Sequence, residues 1–397
     1  MRAVQYVRSI PRFVAARTLG RAWSGLYTSR GSVARLAEVD PPPLPGPEWL
    51  RVRPTLSGIC GSDLSTITAK GTPYFSPFTS TPFVFGHEVV GVVEETGAEV
   101  ERFAVDDRVA LSPPLHCAVR GIAEPCPPCA AGETGHCRNL TRGILSPGIQ
   151  TGYCRDTGGG WSRSLVAHEV QLHAVPAEVP DEAAVLIEPL ACCLHAVERG
   201  RIEPGSTALV IGCGTIGLLT IAALEARAPG TRVVAVAKHE HQREAACRLG
   251  AEEVVGTDST MRETLATLLG AELYRPELGP PTGLGGADVT FDCVATGKTI
   301  DDAFRFTRAR GAVIVVGMPG IPEGVDWTAM WHKELDVRGS YTSGEETFAR
   351  AVDLAAERSE ALAPLVGATF GLEAWREAVE TAMDAGSRGI TKVAFRP

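Results

Sequence analysis

The sequence predicts an α/β protein of two domains, a mostly β half followed by a doubly wound parallel sheet, on three observations. At 397 residues the chain has room for two or three domains of the usual size, roughly 100 to 200 residues. Its first half reads as short apolar runs cut by Pro and Gly, the texture of strands and turns. After Pro204, apolar runs alternate with helical stretches, the mark of a parallel sheet with crossover helices.

In the first half the strand-like runs are residues 50–53, 83–85, 89–94, 108–110 and 164–166, enough for a closed or partly closed barrel. In the second half, residues 208–211 run into a glycine turn and a helix over 216–227. A strand at 232–236, a helix at 242–249 and strands at 253–255, 288–293 and 312–316 follow. The Pro- and Gly-rich residues 273–286 read as a loop insertion. Beyond Gly339 come amphipathic helices and a last strand at 391–395, which is expected to complete the first domain.

Composition narrows the function. Hydrophobic residues make up 44% and charged residues 21%, which excludes global disorder. Lys plus Arg number 38 against 47 Asp plus Glu, a net charge of −9, so neither nucleic acid nor an anionic membrane is an expected partner. No apolar run reaches the roughly 18 residues of a membrane span and no secretory leader is evident, so the expected location is the cytoplasm. Eleven cysteines are too sparse for a disulfide scaffold, and four of them crowd between Cys117 and Cys137, which in a reducing compartment reads as a metal site.

The stretch Val210-Ile211-Gly212-Cys213-Gly214-Thr215-Ile216-Gly217 follows a strand and opens a helix. In that context it is a dinucleotide-binding, Rossmann-type loop. Gly212 permits the turn, Gly214 lets the backbone approach a pyrophosphate, Gly217 lets helix pack on strand, and the N–H groups at Thr215 and Ile216 face the phosphates. Such a site for NAD ends its second strand in Asp or Glu, roughly 20 residues on. Here that place holds Ala237, followed by Lys238, His239 and Arg243, which favours NADP over NAD.

Cys126-x2-Cys129-x7-Cys137 supplies three thiolates for a tetrahedral structural zinc, and Cys117 is the nearest fourth. Upstream, Cys60 lies beside Ser62, and His87 is followed by Glu88. Each pair alone says little.

Taken in order, Gly58-Ile59-Cys60-Gly61-Ser62-Asp63, Gly86-His87-Glu88, the cysteine lobe, Gly159-Gly160-Trp161, Glu188-Pro189-Leu190 and the glycine loop resemble the zinc-dependent medium-chain alcohol and polyol dehydrogenases. Sorbitol and threonine dehydrogenases are the near relations, over nearly all of the chain from Leu36. The resemblance implies a GroES-like β-barrel catalytic domain, residues 1–188 and 341–397, and a Rossmann domain, residues 189–340. It implies a catalytic zinc on Cys60, His87 and Glu88, with Glu188 at the remaining position, ligating directly or holding the bound water. Glu188 stands where alcohol-type members carry Cys, which places the chain with the polyol branch. Ser62 resembles the first hydroxyl of the proton path, and Asp63 a structural hydrogen-bond partner. The implied reaction interconverts an alcohol and its aldehyde or ketone with a nicotinamide cofactor.

Relatives form dimers or tetramers by joining Rossmann sheets at their edges, so a homodimer or homotetramer is expected, with residues 312–316 as the edge strand. Tyr74, Phe75, Phe78 and Trp161 are the candidate pocket walls, suited to a substrate less hydrophilic than a sugar alcohol. Cys192, Cys193 and His195 read as packed core.

Three departures from the family stand out. Ser65 occupies the place of a relay histidine, Ala123 that of the lobe's first cysteine, and an Arg-rich insertion spans residues 7–34. Before Glu38 the chain has seven arginines and no acid, the composition of a transit peptide, but residues 3–6 already resemble the family's first strand, so a surface insertion is expected. Two other readings compete: a non-catalytic NADP-binding protein of this fold, and a reductase of activated double bonds. The intact Cys60, His87, Glu88 and Glu188 set argues against the first, and retained Cys60 and His87 argue against the second.

Overall fold

Alternating burial along the ten-residue strand Trp49–Gly58 makes it the spine of a seven-stranded sheet. The strands lie in the order Val366–Phe370, Lys392–Phe395, Trp49–Gly58, Val89–Thr96, Arg108–Leu111 and Leu172–Ala174, and Leu165–His168 also pairs with the spine. Pairing is antiparallel except between Val366–Phe370 and Lys392–Phe395. A core of Leu50, Val52, Val89, Val93, Val109, Leu111 and Leu165 fills one side. A separate three-stranded sheet joins Ala34–Glu38, Arg2–Tyr6 and Phe83–Val84.

The computed structural model describes residues 1–397, which divide into two units, Met1–Glu188 with Ser343–Pro397, and Pro189–Thr342. The sheets above belong to the first unit. Its Arg-rich insertion is folded: Pro11 sits in the first turn of a helix over Ile10–Leu19, and a short 3-10 turn follows at Ser24–Tyr27. Ala16 and Tyr27 are buried with Ile67 and Ala69, and Arg17 donates to the carbonyls of Ala69 (3.4 Å) and Gly71 (3.3 Å).

The second unit holds a six-stranded sheet, every neighbouring pair parallel, in the order Glu253–Val255, Arg232–Val236, Thr207–Ile211, Ala287–Asp292, Thr307–Val315, Asp336–Gly339. The order reverses at Thr207–Ile211, the kind of switch point at which doubly wound sheets bind ligands. Two expectations are corrected here. Residues 312–316 are interior, because Asp336–Gly339 pairs with them and forms the edge. The four residues Asp-Val-Arg-Gly carry too little apolar signal to read as a strand. The 273–286 segment is not all loop: Glu272–Tyr274 and Thr282–Leu284 form an antiparallel hairpin. No helix is long and apolar enough to cross a membrane.

Candidate active site and metal centres

Sheet register assembles the first constellation. Ser57 pairs with Val89, so the residues just past the spine lie beside those just before its neighbour, and Gly58 N–H donates to the Glu88 carbonyl at 2.9 Å. Cys60 then caps the helix Gly61–Ile67. The Cys60 thiol, a His87 ring nitrogen and a Glu88 oxygen all fall within 4.8 Å of one another. From the C-terminal strand, Ala394 pairs with Gly58, which brings Lys392 into an ion pair with Glu88, both side chains buried. Gly58 has to be glycine, since a Cβ there would occupy the space of the Glu88 carboxylate.

Asp63 is fully buried and accepts from Cys60 N–H at 3.0 Å through Oδ2, while its Oδ1 lies 3.6 Å from His87 Nδ1. Burial raises the Asp63 carboxyl above the usual range, against the pull of His87 and the Cys60 N–H. Burial alone would lower His87, but Asp63, the Cys60 thiol and Glu188 outweigh it and raise the imidazole. Lys392 behaves alike: burial opposes its charge, and Glu88 with Cys60 restores it. Glu188 opens the helix Ile187–Gly200 and acts on both cations through its charge, though the group within 4.8 Å is formed without it. A mixed S, N, O donor set fits a zinc ion.

A loop builds the second constellation. The Sγ atoms of Cys117, Cys126, Cys129 and Cys137 lie within 4.8 Å of one another. Cys126 N–H (3.4 Å) and Asn139 Nδ2 (3.2 Å) donate to Cys117 Sγ, Arg138 N–H to Cys126 Sγ (3.3 Å), and Asn139 N–H to Cys137 Sγ (3.3 Å). Burial raises the Cys126 thiol, yet these N–H and thiol partners bring it down to about 6. Arg120 is buried at the loop's centre and donates to the carbonyls of Leu115 (2.8 Å), Arg142 (2.9 Å) and Gly148 (2.6 Å), so it shapes the lobe from within. Four thiols under several N–H donors suit a tetrahedral zinc.

In the second unit Gly212 has φ +90°, in the region that favours glycine, and a Cβ on Gly217 would strike the Gly212 carbonyl. Gly214 caps the helix Thr215–Arg227, and a Cβ there would face open space. Room beside a helix N-terminus fits a dinucleotide phosphate, with Thr215 and Ile216 in the first turn. Ala237 is fully buried, and Lys238 is exposed beside it. His239 caps the helix Glu240–Leu249, and Arg243 pairs with Glu240 at 3.5 Å. Burial, Lys238 and His241 together lower His239.

Trp161 is corrected from pocket wall to core: it is fully buried between Phe85 and Phe395 and donates from Nε1 to the Gly58 carbonyl at 3.2 Å. Tyr74 is 72% exposed, edge to face with Phe75. Cys193 is buried and donates to the Ile216 carbonyl at 3.3 Å. Sequence reasoning missed Lys392; it sits in no motif.

The chain matches the Alcohol dehydrogenase GroES-like domain over residues 46–177 and the Zinc-binding dehydrogenase family over residues 215–357. It is 30% identical to a sorbitol dehydrogenase of Arabidopsis thaliana, with 88% of each chain covered. The chain belongs to the zinc-dependent medium-chain alcohol and polyol dehydrogenases. As a member of that family it is a zinc-dependent NAD(P) oxidoreductase acting on alcohols. An L-idonate 5-dehydrogenase of Vitis vinifera is 31% identical over 75% of this dehydrogenase and 74% of its own length. A putative zinc-binding dehydrogenase from Sinorhizobium meliloti 1021, solved bound to NADP, superposes with a TM-score of 0.71 at 28% identity, covering 94% of this chain and 98% of that one.

Proposed function

We propose that this dehydrogenase interconverts a small-molecule alcohol and its aldehyde or ketone with NADP in preference to NAD. The observation that carries the cofactor choice is the end of the second parallel strand, where buried Ala237 replaces an acid and Lys238, His239 and Arg243 follow. A 2′-phosphate would meet the Lys238 and Arg243 cations there, with His239 a neutral neighbour. The NADP-bound relative supports the same choice.

Cys60, His87 and Glu88 are the proposed holders of a catalytic zinc, with Glu188 at the remaining position, and Cys117, Cys126, Cys129 and Cys137 those of a structural zinc. Zinc held there would supply Lewis acidity at the substrate oxygen, and a nicotinamide at the glycine loop would supply or accept the hydride. Asp63 bears on the His87 ring through its charge, its Oδ1 3.6 Å from Nδ1. Lys392 balances the Glu88 charge. Ser62 is the first hydroxyl placed to meet the substrate proton. The open edge strand Asp336–Gly339 is the proposed seam to a second copy, making a homodimer or homotetramer.

Initial rates with NADP and NAD on 2,3-butanediol, sorbitol and 1-phenylethanol test the reading. NADP should lead in kcat/KM by about tenfold or more, and Arg243→Gln should erase about a tenfold part of that lead, the loss of one charge-assisted phosphate contact. Higher efficiency with NAD would refute the cofactor choice, and no turnover on any alcohol would refute the enzymatic reading.

A further inference from the structure

The acid that ordinarily closes an NAD site is missing at position 237, and the neighbouring strand brings another one beside it. Val236 pairs with Val255 in the parallel ladder, and Ala237 N–H donates to the Val255 carbonyl at 2.9 Å. Ala237 and Gly256 therefore lie side by side just past the ends of their strands. Two side chains of opposite charge meet at Gly256: a Cβ there would lie 3.2 Å from Asp258 Oδ2 and 3.5 Å from Arg243 Nη2. Asp258 comes from the loop after Glu253–Val255, and Arg243 from the helix Glu240–Leu249.

Neither group is spent on the other. Asp258 Oδ1 accepts from Thr260 N–H (2.8 Å) and Thr260 Oγ1 (2.6 Å), which fixes the carboxylate and leaves Oδ2 on the Gly256 side. Those bonds, with a smaller pull from Arg243, hold its carboxyl below the ordinary range, so it is an anion at neutral pH. Arg243 makes no hydrogen bond from its buried Nε, and its ion-pair partner Glu240 stands 3.5 Å from Nη1. Other arginines of the same unit are committed: Arg262 donates to Asp302 at 2.7 and 2.9 Å, and Arg308 to Asp288 at 2.6 Å. A free carboxylate oxygen and an open guanidinium thus flank the place left empty by Ala237.

We propose that Asp258 is the ribose-recognising acid of this dehydrogenase, supplied from the loop after Glu253–Val255 in place of a side chain at 237, so that one site takes NAD through Asp258 and NADP through Arg243. This rests on the reading that the glycine loop binds a nicotinamide dinucleotide with its adenosine ribose beside Ala237. Asp258 accepts a hydrogen bond from the 2′-hydroxyl of NAD, and the same charge repels the 2′-phosphate of NADP, which Arg243 attracts. The preference for NADP is then a balance between two residues, and either can tip it.

Asp258→Asn keeps the Oδ1 acceptor for Thr260 and removes the charge. Titration calorimetry on the protein as purified should show the NAD Kd rising about tenfold, the loss of a hydrogen bond to a charged group, and the NADP Kd falling about threefold, the relief of an exposed like charge. Arg243→Gln should do the reverse, weakening NADP about tenfold and leaving NAD in place. A change that merely loosened the loop would weaken both cofactors together. Glu240→Gln, which removes the other carboxylate near Arg243, should leave NAD unmoved. Equal weakening of both cofactors by Asp258→Asn, or NAD binding lost in Glu240→Gln and kept in Asp258→Asn, would overturn the proposal.

ADP and 2′-deoxy-ADP isolate the hydroxyl. The unaltered protein should bind ADP about tenfold more tightly, and Asp258→Asn should bring the two level. A preference that survives Asp258→Asn would overturn the proposal and leave the dinucleotide site intact. NAD held more tightly than NADP by the unaltered protein would refute the cofactor choice above, while selective loss of NAD in Asp258→Asn would still support the role of Asp258. Binding of none of these nucleotides would overturn the dinucleotide site and this inference with it.

Discussion

Cys60, His87 and Glu88 are brought together by the register of a sheet, whereas Cys117, Cys126, Cys129 and Cys137 are brought together by one loop. In the first case the contributing residues are far apart in sequence, and the partner of Glu88 arrives from residue 392. Cys60, His87 and Glu88 sit just beyond strand ends, while Lys392 stands on a strand, where a shift of one place would turn it to the other face. In the second, backbone and Asn139 N–H groups point at the sulfurs and Arg120 gathers the carbonyls around them, so a cysteine at 117 joins the group although position 123 is alanine. Sheet-built sites demand position, and loop-built sites tolerate rearrangement within the loop.

Breaking the ion pair that anchors the sheet-built site should have the largest effect. Lys392→Met strands a buried carboxylate, a loss of about 3–5 kcal/mol, and calorimetry should show the first unit's Tm falling by roughly 10 °C. Adding Glu88→Gln should recover part of that stability. A Tm unchanged by Lys392→Met would show that the pair does not anchor the site.

The loop-built site should respond more locally. Arg120→Met leaves the carbonyls of Leu115, Arg142 and Gly148 without their shared donor, at a cost of about 2–4 kcal/mol. Limited proteolysis should then cut between residues 117 and 148 while the sheet stays protected. Cleavage spread evenly over the unit would mean that Arg120 supports more than the lobe.

Acid should sharpen the contrast by a smaller amount. Burial holds His116, next to the lobe, and His173, against Phe348, down at about 4. Between about pH 4 and 6.5 the unfolded chain therefore binds more protons than the folded one, so stability is full above 6.5 and is lost as pH falls toward 4. Each histidine contributes on the order of 3 kcal/mol over that window. His173→Asn should flatten the Tm-against-pH curve there, and an unaltered slope would rule the residue out.

Much of this was legible in the sequence because it is local or periodic. The alternating and continuous apolar runs marked both sheets, and the glycine loop lay where a strand meets a helix. What escaped depends on tertiary pairing. Asp336–Gly339 is a strand only because Thr307–Val315 offers it an edge. Ile10–Leu19 hides its helical face, since Ile10, Val14 and Leu19 stay exposed while Ala16 is buried. Lys392 is one lysine in a terminal strand, chemically silent until the Ala394–Gly58 pairing sets it beside Glu88. Trp161 is a pocket candidate in the sequence for its apolar ring alone, which does not tell a wall from a core, and close packing at Gly159 and Gly160 lets it sink into the core.

Zinc content per chain, measured on protein purified without added metal and on Cys60→Ser and Cys117→Ser variants, tests the central claim of two separately built sites most directly. The account predicts near two for the unaltered protein and near one for each variant, with Cys60→Ser abolishing turnover and Cys117→Ser loosening the lobe to protease. A value near one that Cys60→Ser leaves unmoved would contradict it.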